Sequence, residues 1–188
     1  AQLLDQAVKH VLDASPAQTQ SDSDKARWAN LRHRVAGLYR AAGQGPKAIV
    51  VYQDMMKTLG EDDSLWAAVG DTQTEMARHA EARATFTRFK DPIQGLVKTA
   101  MSYRYENKLA EAIEVYRTLM TKDVQHAGQW QWEIAELTFA LGKYRDALAI
   151  FRQCNNPPRD LQRISDCHRA LKEWNEAIAI LREVQVTY

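Results

Sequence analysis

Five small residues recur in step with five alanines along this 188-residue chain. Each alanine follows a Gly, Ala or Ser by twelve residues. The small residues are Ala36, Gly70, Ala100, Ala135 and Ser165, and the alanines are Ala48, Ala82, Ala112, Ala147 and Ala177. Two helix backbones approach closely only where the side chains between them are small. The pattern therefore predicts five helical hairpins, each crossing at a small residue.

Two further positions repeat with the alanines. A large apolar residue stands four residues after each of them: Tyr52, Phe86, Tyr116, Phe151 and Leu181. A turn position stands five residues before each: Gly43, Ala77, Asn107, Gly142 and Lys172. Glycine tolerates the left-handed backbone that closes a helix. These positions predict the turns between the two helices of each hairpin.

The alanines are separated by 34, 30, 35 and 30 residues. Periods of this size indicate an array of supersecondary units that share their apolar faces. The two short intervals lack about one helical turn. We therefore expect the second helices of the second and fourth hairpins to end early, at Asp91-Pro92 and Asn156-Pro157-Pro158. A proline suits the first turn of the following helix, and the aspartate can cap that helix.

An apolar stripe over Gln2–Asp13 predicts a separate first helix, ending at Ser15-Pro16. The polar stretch AQTQSDSD after it has no periodicity and is interpreted as a mobile loop up to Asp24. The expected organisation is an N-terminal helix and linker over 1–23 and a helical repeat domain over 24–188.

Composition and motifs exclude several functions. The 25 Lys and Arg residues balance 24 Asp and Glu residues, so a net charge of +1 provides no field to recruit nucleic acid. No apolar run is long enough to insert into a membrane. Nucleophile elbows, phosphate-binding loops and metal-ligand spacings are absent, which predicts no catalytic residue, no metal and no cofactor. Cys154 and Cys167 are interpreted as two small buried thiols, and the cellular compartment stays open.

The repeated pattern resembles the tetratricopeptide repeat. The features that carry the likeness are the small residue, an aromatic three residues later (Tyr39, Tyr103), the turn, the alanine and the aromatic that follows it. Departures occur at Gln73, Thr138 and His168, which replace the aromatic, and at Lys172, which replaces the turn glycine. The resemblance implies an all-α, right-handed superhelical solenoid of about five antiparallel helix pairs, whose first helices line a concave groove that binds proteins or peptides.

One stripe of each first helix would face that groove. It consists of the positions three before, one after and four after the small residue. Together with Tyr105, this stripe predicts the binding residues His33, Arg40, Asp71, Met101, Arg104, Tyr105, Trp132, Glu136, Phe139, Asp166 and Arg169. Aromatic residues and arginine dominate binding energy at many interfaces. An alternative remains, in which Trp132 and Phe139 only pack against neighbouring helices.

The predicted function is a module that binds a protein or peptide segment in this groove. Some family members hold a C-terminal carboxylate there, but Asp71 would repel it, so that ligand is not expected. A second hypothesis is an assembly subunit that docks through its last helix, by way of Ile178, Ile180, Val184 and Val186. That apolar surface would be covered by further repeats, a second copy or a partner. A more distant alternative is the non-catalytic domain of a larger enzyme.

Overall fold

The computed structural model describes residues 2–13 and 21–187. These residues form eleven α-helices and a 3-10 turn at Val124–His126, and they contain no strand. The helices are α1 (Gln2–Asp13), α2 (Asp22–Ala41), α3 (Gly45–Leu59), α4 (Asp63–Glu75), α5 (His79–Phe86), α6 (Pro92–Tyr105), α7 (Leu109–Lys122), α8 (Ala127–Ala140), α9 (Tyr144–Cys154), α10 (Arg159–Ala170) and α11 (Trp174–Thr187). The all-α fold predicted from the repeats is confirmed.

The chain divides into two compact units, residues 1–95 (unit 1) and 96–188 (unit 2). In unit 1, consecutive helices pack on each other from α1 to α5. In unit 2, the same is true from α7 to α11. Consecutive helices joined by a few residues and packed together form antiparallel hairpins.

The five first helices end in the same way. Each predicted turn position has a positive φ: 69° at Gly43, 58° at Ala77, 56° at Asn107, 75° at Gly142 and 63° at Lys172. The N–H of the next residue then donates to the carbonyl five residues earlier, as from Arg78 to Gln73 at 2.8 Å and from Glu173 to His168 at 2.9 Å. This is the Schellman motif, which satisfies the last carbonyls of a helix. The predicted turns are confirmed even where the residue is not glycine.

The predicted crossings are also confirmed. Ala36, Ala100 and Ala135 are 0% exposed, Ser165 is 4% exposed and Gly70 is buried. The alanines of the second helices are buried as well. In the fifth hairpin the contact is direct, because the Ser165 hydroxyl donates to the Ala177 carbonyl at 3.1 Å.

Helices α5 and α9 are short, as the spacing predicts, but they end at Phe86 and Cys154, before the expected ends at Asp91-Pro92 and Asn156-Pro157-Pro158. They contain 8 and 11 residues, whereas α3 and α7 contain 15 and 14. Pro92 opens α6, and the Asp91 carboxylate accepts from the Ile93 N–H at 2.8 Å. The expectation that a proline lies in the first turn of the following helix is wrong for Pro157 and Pro158, because both precede α10.

The first turn of α10 contains no proline, and the start of this helix is held instead by hydrogen bonds to a carboxylate. Asp160, the second residue of α10, accepts hydrogen bonds from the N–H groups of Asn156 and Leu161, each at 2.7 Å. Its side chain thereby joins the first turn of the helix to the preceding loop.

Helix α1 has the predicted bounds, and Val8 joins the core of unit 1. The predicted helix end at Ser15-Pro16 lies outside the described residues, as does the loop up to residue 20. The loop prediction is wrong for Asp22–Asp24, which belong to α2. Ser21 caps this helix, since its hydroxyl accepts from the Asp24 N–H at 3.1 Å.

We predict that Lys172→Gly stabilises the protein. A left-handed conformation costs a residue with a Cβ roughly 1–2 kcal/mol, and part of this gain is offset by the entropy of glycine. A rise of about 0.5–1 kcal/mol in the free energy of unfolding is therefore expected, measured by urea denaturation. The control is Arg117→Gly, an exposed helical position in α7 of the same unit, where a loss of about 1 kcal/mol is expected. A loss for Lys172→Gly would contradict the account of the turn.

Candidate functional site

In unit 1, the predicted binding residues lie on α2 and α4. The Arg40 Nε donates to the Glu75 carboxylate at 3.0 Å, and a second bond from the same guanidinium makes the pair bidentate. The hydrogen bond from Arg40 lowers the pKa of Glu75, so this carboxylate stays ionised. His33 is exposed, with its ring centroid 5.7 Å from that of Tyr52, and Asp71 is half-buried. We call His33, Arg40, Asp71 and Glu75 the unit-1 face.

In unit 2, ion pairs join α6, α8 and α10 side by side. Arg104 of α6 donates to Glu133 of α8 at 2.8 Å. Glu136 of α8 accepts from the Nε of Arg163 of α10 at 2.6 Å and from its Nη2 as well. The surface that these three helices share is the unit-2 face, made up of Met101, Arg104, Tyr105, Glu133, Glu136, Phe139, Arg159, Arg163, Asp166 and Arg169.

Asp166 extends this set of ion pairs within α10. Its carboxylate accepts from Arg163 at 3.2 Å and from Arg169 at 2.8 Å. Acidic and basic side chains thus alternate across the unit-2 face. Each of the predicted residues Glu136, Asp166 and Arg169 is engaged by a neighbour of opposite charge.

Met101 and Tyr105 give the unit-2 face its exposed apolar part. Met101 is 39% exposed and Tyr105 is 69% exposed. Together with Arg104 they line an open cavity of about 360 Å³. The Arg104 guanidinium is oriented by Glu133 and by the hydroxyl of Tyr116, 3.5 Å away. Burial raises the pKa of Tyr116, so its hydroxyl is neutral at physiological pH.

Trp132 and Phe139 differ in their surroundings. Trp132 is only 6% exposed, packs against Phe151 with ring centroids 5.0 Å apart, and carries the Arg159 guanidinium 4.0 Å above its ring. It lies in the core, as the packing alternative describes. Phe139 is half-buried, packs edge-on against Tyr144 at 5.1 Å and lies under Arg163 at 5.2 Å. Part of the Phe139 ring therefore remains exposed on the unit-2 face.

Sequence reasoning missed four charged residues of these two faces: Glu75, Glu133, Arg159 and Arg163. Glu133 and Arg163 each stand two residues before the small residue of their helix. This position is not part of the predicted stripe, which takes the positions three before, one after and four after the small residue. Arg159 stands three residues before Gln162, so extending the stripe by one helical step would have found it.

Helix α11 packs on unit 2 by one side and leaves another side open. Ala177 is buried, Ile180 packs against the unit-2 core and Val184 is half-buried. Ile178 and Val186 are exposed, as are Trp174 and Leu181. Trp174, Ile178 and Leu181 follow each other at steps of four and three residues, so they form one exposed stripe.

The two cysteines are free thiols. Burial raises the pKa of Cys167 to about 11 and raises that of Cys154, so neither is a reactive thiolate at neutral pH. Within residues 2–13 and 21–187, no three His, Cys, Asp or Glu side chains are placed to hold a metal ion. No described helix combines the length and apolar character that crossing a bilayer requires.

Comparison with known proteins identifies the repeat. Residues 94–123 match the family model described as Tetratricopeptide repeat. No curated protein sequence matches the chain. A solved structure of putative kinesin light chain TPR-like repeats from Podosopora anserina is 14% identical, over 86% of this chain and 95% of that one, with a TM-score of 0.58.

Two further solved structures are similar. MamA protein is 12% identical over 82% of this chain and 88% of that one, with a TM-score of 0.56. A tetratricopeptide repeat protein from Parabacteroides merdae is 15% identical, covering 100% of this chain and 73% of that one, with a TM-score of 0.52. At identities this low, the likeness shows a shared fold of helix pairs.

Proposed function

We propose that the chain is an interaction module of the tetratricopeptide repeat type, which binds a segment of a partner protein on the unit-2 face. Tetratricopeptide repeat proteins serve in general as protein-interaction modules or scaffolds and are generally non-catalytic. The choice of this face and of its contact residues is our proposal.

This proposal rests mainly on the exposure of Met101 and Tyr105, which line a cavity beside the paired charged side chains of the unit-2 face. A folded chain gains by covering such apolar surface, at about 25 cal/mol per Å². The Arg104–Glu133 pair next to them is already formed, so a ligand need not order these side chains. Met101 and Tyr105 would contact an apolar side chain of the bound segment, and Phe139 would add its exposed edge.

The unit-1 face supports polar contacts only. His33, Arg40 and Asp71 are its predicted binding residues, and Arg40 is already paired with Glu75. We therefore assign the apolar anchor of the interaction to unit 2.

We expect the double substitution Met101→Ser with Tyr105→Ser to weaken the binding of peptides selected by the intact chain at least tenfold. Both replacements remove apolar contact area at the surface, where the fold is little affected. Fluorescence anisotropy with labelled peptides from a displayed random library measures the effect. The control is Val124→Ser with Leu141→Ser, two exposed apolar residues of unit 2 outside the unit-2 face. Equal affinity of the two double variants would reject this site.

The second candidate function is assembly through α11, and the exposure of this helix compared with the second helices of the other hairpins favours it. Four residues after the repeat alanine, Tyr52, Phe86, Tyr116 and Phe151 are at most 3% exposed, whereas Leu181 is 51% exposed. The wide apolar stripe of Trp174, Ile178 and Leu181 is the surface through which α11 would dock on another copy.

If α11 self-associates, Ile178→Lys should convert an oligomer to a monomer in sedimentation velocity at tens of micromolar. A charge in the middle of the stripe must be desolvated on association. The matched control is Ala179→Lys, whose exposed side chain lies about 100° around the same helix and outside the stripe. An intact chain that sediments as a monomer would exclude self-assembly.

A further inference from the structure

The unit-2 face carries one positive charge more than its own carboxylates neutralise. Glu133 is paired with Arg104, Glu136 with Arg163, and Asp166 with Arg163 and Arg169. The remaining cation of the face is Arg159. No ion pair involves Arg159 within the described parts of the chain.

Arg159 lies on the same side of α10 as the predicted binding residues. Residues 159, 162, 166 and 169 follow each other at steps of three, four and three, which places them on one helical stripe. The carboxylate next to Arg159 along the chain does not compensate it, because Asp160 is 5% exposed and accepts from the Asn156 and Leu161 N–H groups.

The Arg159 guanidinium is held in place from one side. Its central carbon lies 4.0 Å from the centroid of the Trp132 ring, and Trp132 is itself fixed in the core against Phe151. Stacking on an indole is favourable for a guanidinium and leaves its N–H groups at the edge of the plane available. Those N–H groups are the donors that bind a carboxylate in a bidentate way.

We propose that Arg159 is a specificity-determining residue that selects an aspartate or glutamate side chain in the bound protein segment. This inference rests on the proposed function of the unit-2 face. The segment would thus carry an apolar residue, bound at Met101 and Tyr105, and an acidic residue at a constant offset from it, bound at Arg159. A stacked, unneutralised arginine beside paired charges favours an acidic ligand and disfavours a basic one.

The test uses random short peptides displayed with their C-termini fused to a phage coat protein, so that any acidic preference comes from side chains. Selections run in parallel on the intact chain, on Arg159→Gln and on Arg145→Gln. Arg145 is an exposed arginine of α9, outside the unit-2 face. Selection on the intact chain and on Arg145→Gln should enrich an acidic residue at one offset from an apolar residue, and selection on Arg159→Gln should lose that preference.

A double-mutant cycle then measures the contact. Changing the acidic residue of a selected peptide to its amide should weaken binding to the intact chain about tenfold or more, and should have little effect on binding to Arg159→Gln. Arg159→Lys, which keeps the charge but not the planar stack, should retain an intermediate coupling. Thermal unfolding of each variant confirms that the fold is intact.

The outcomes separate this inference from the proposed function. Selected peptides that depend on Met101 and Tyr105 but show no acidic preference, or an amide effect that persists in Arg159→Gln, would overturn the role of Arg159 alone. Failure of the intact chain to enrich any peptide, or enrichment that ignores Met101 and Tyr105, would overturn the binding site on the unit-2 face as well.

Discussion

The fold depends on how closely the two helices of each hairpin approach at one small residue. Gly70 shows the constraint most sharply, since a Cβ placed there would overlap the ring of Phe86 in the facing helix. Phe86 is 2% exposed and also packs edge-on against Phe89, so its ring has little room to move. The other hairpins use Ala or Ser at this place. A larger side chain at the crossing would separate the helices and open the core of the hairpin.

The packing of one hairpin on the next also explains how the proposed binding surface would arise. The first helices of unit 2 lie near enough for Arg104 to reach Glu133 and for Glu136 to reach Arg163. The bridge to Glu133 holds Arg104 in place, and Arg104 lines the cavity beside Met101 and Tyr105. The same packing fixes Trp132, which in turn orients Arg159. The buried ring of Trp132 thus positions the guanidinium that we propose as the specificity determinant.

The sequence predicts the fold well because its determinants act within one hairpin. Ala135 and Ala147, and the turn at Gly142, lie within a few helical turns of each other along the chain, so their spacing reports their contact. The candidate site is harder to predict, since its geometry depends on side chains from different hairpins. Only the structure identifies Glu133 and Arg163 as part of the site, because they are the ion-pair partners of Arg104 and Glu136. The burial of Trp132 depends on its contact with Phe151.

The most direct test compares two identical substitutions in the first helices of unit 1. Gly70→Ala should lower the free energy of unfolding by about 1–3 kcal/mol, because the added methyl group overpacks the crossing. Gly37→Ala lies on the open side of α2, where the new methyl group would have no atom within 4 Å apart from the neighbouring backbone of its own helix. This substitution should raise the free energy of unfolding by up to about 1 kcal/mol, because alanine is the better helix former. Urea denaturation of both variants measures the difference. Stabilisation of similar size at both positions would contradict the claim that small residues set the approach of the helices.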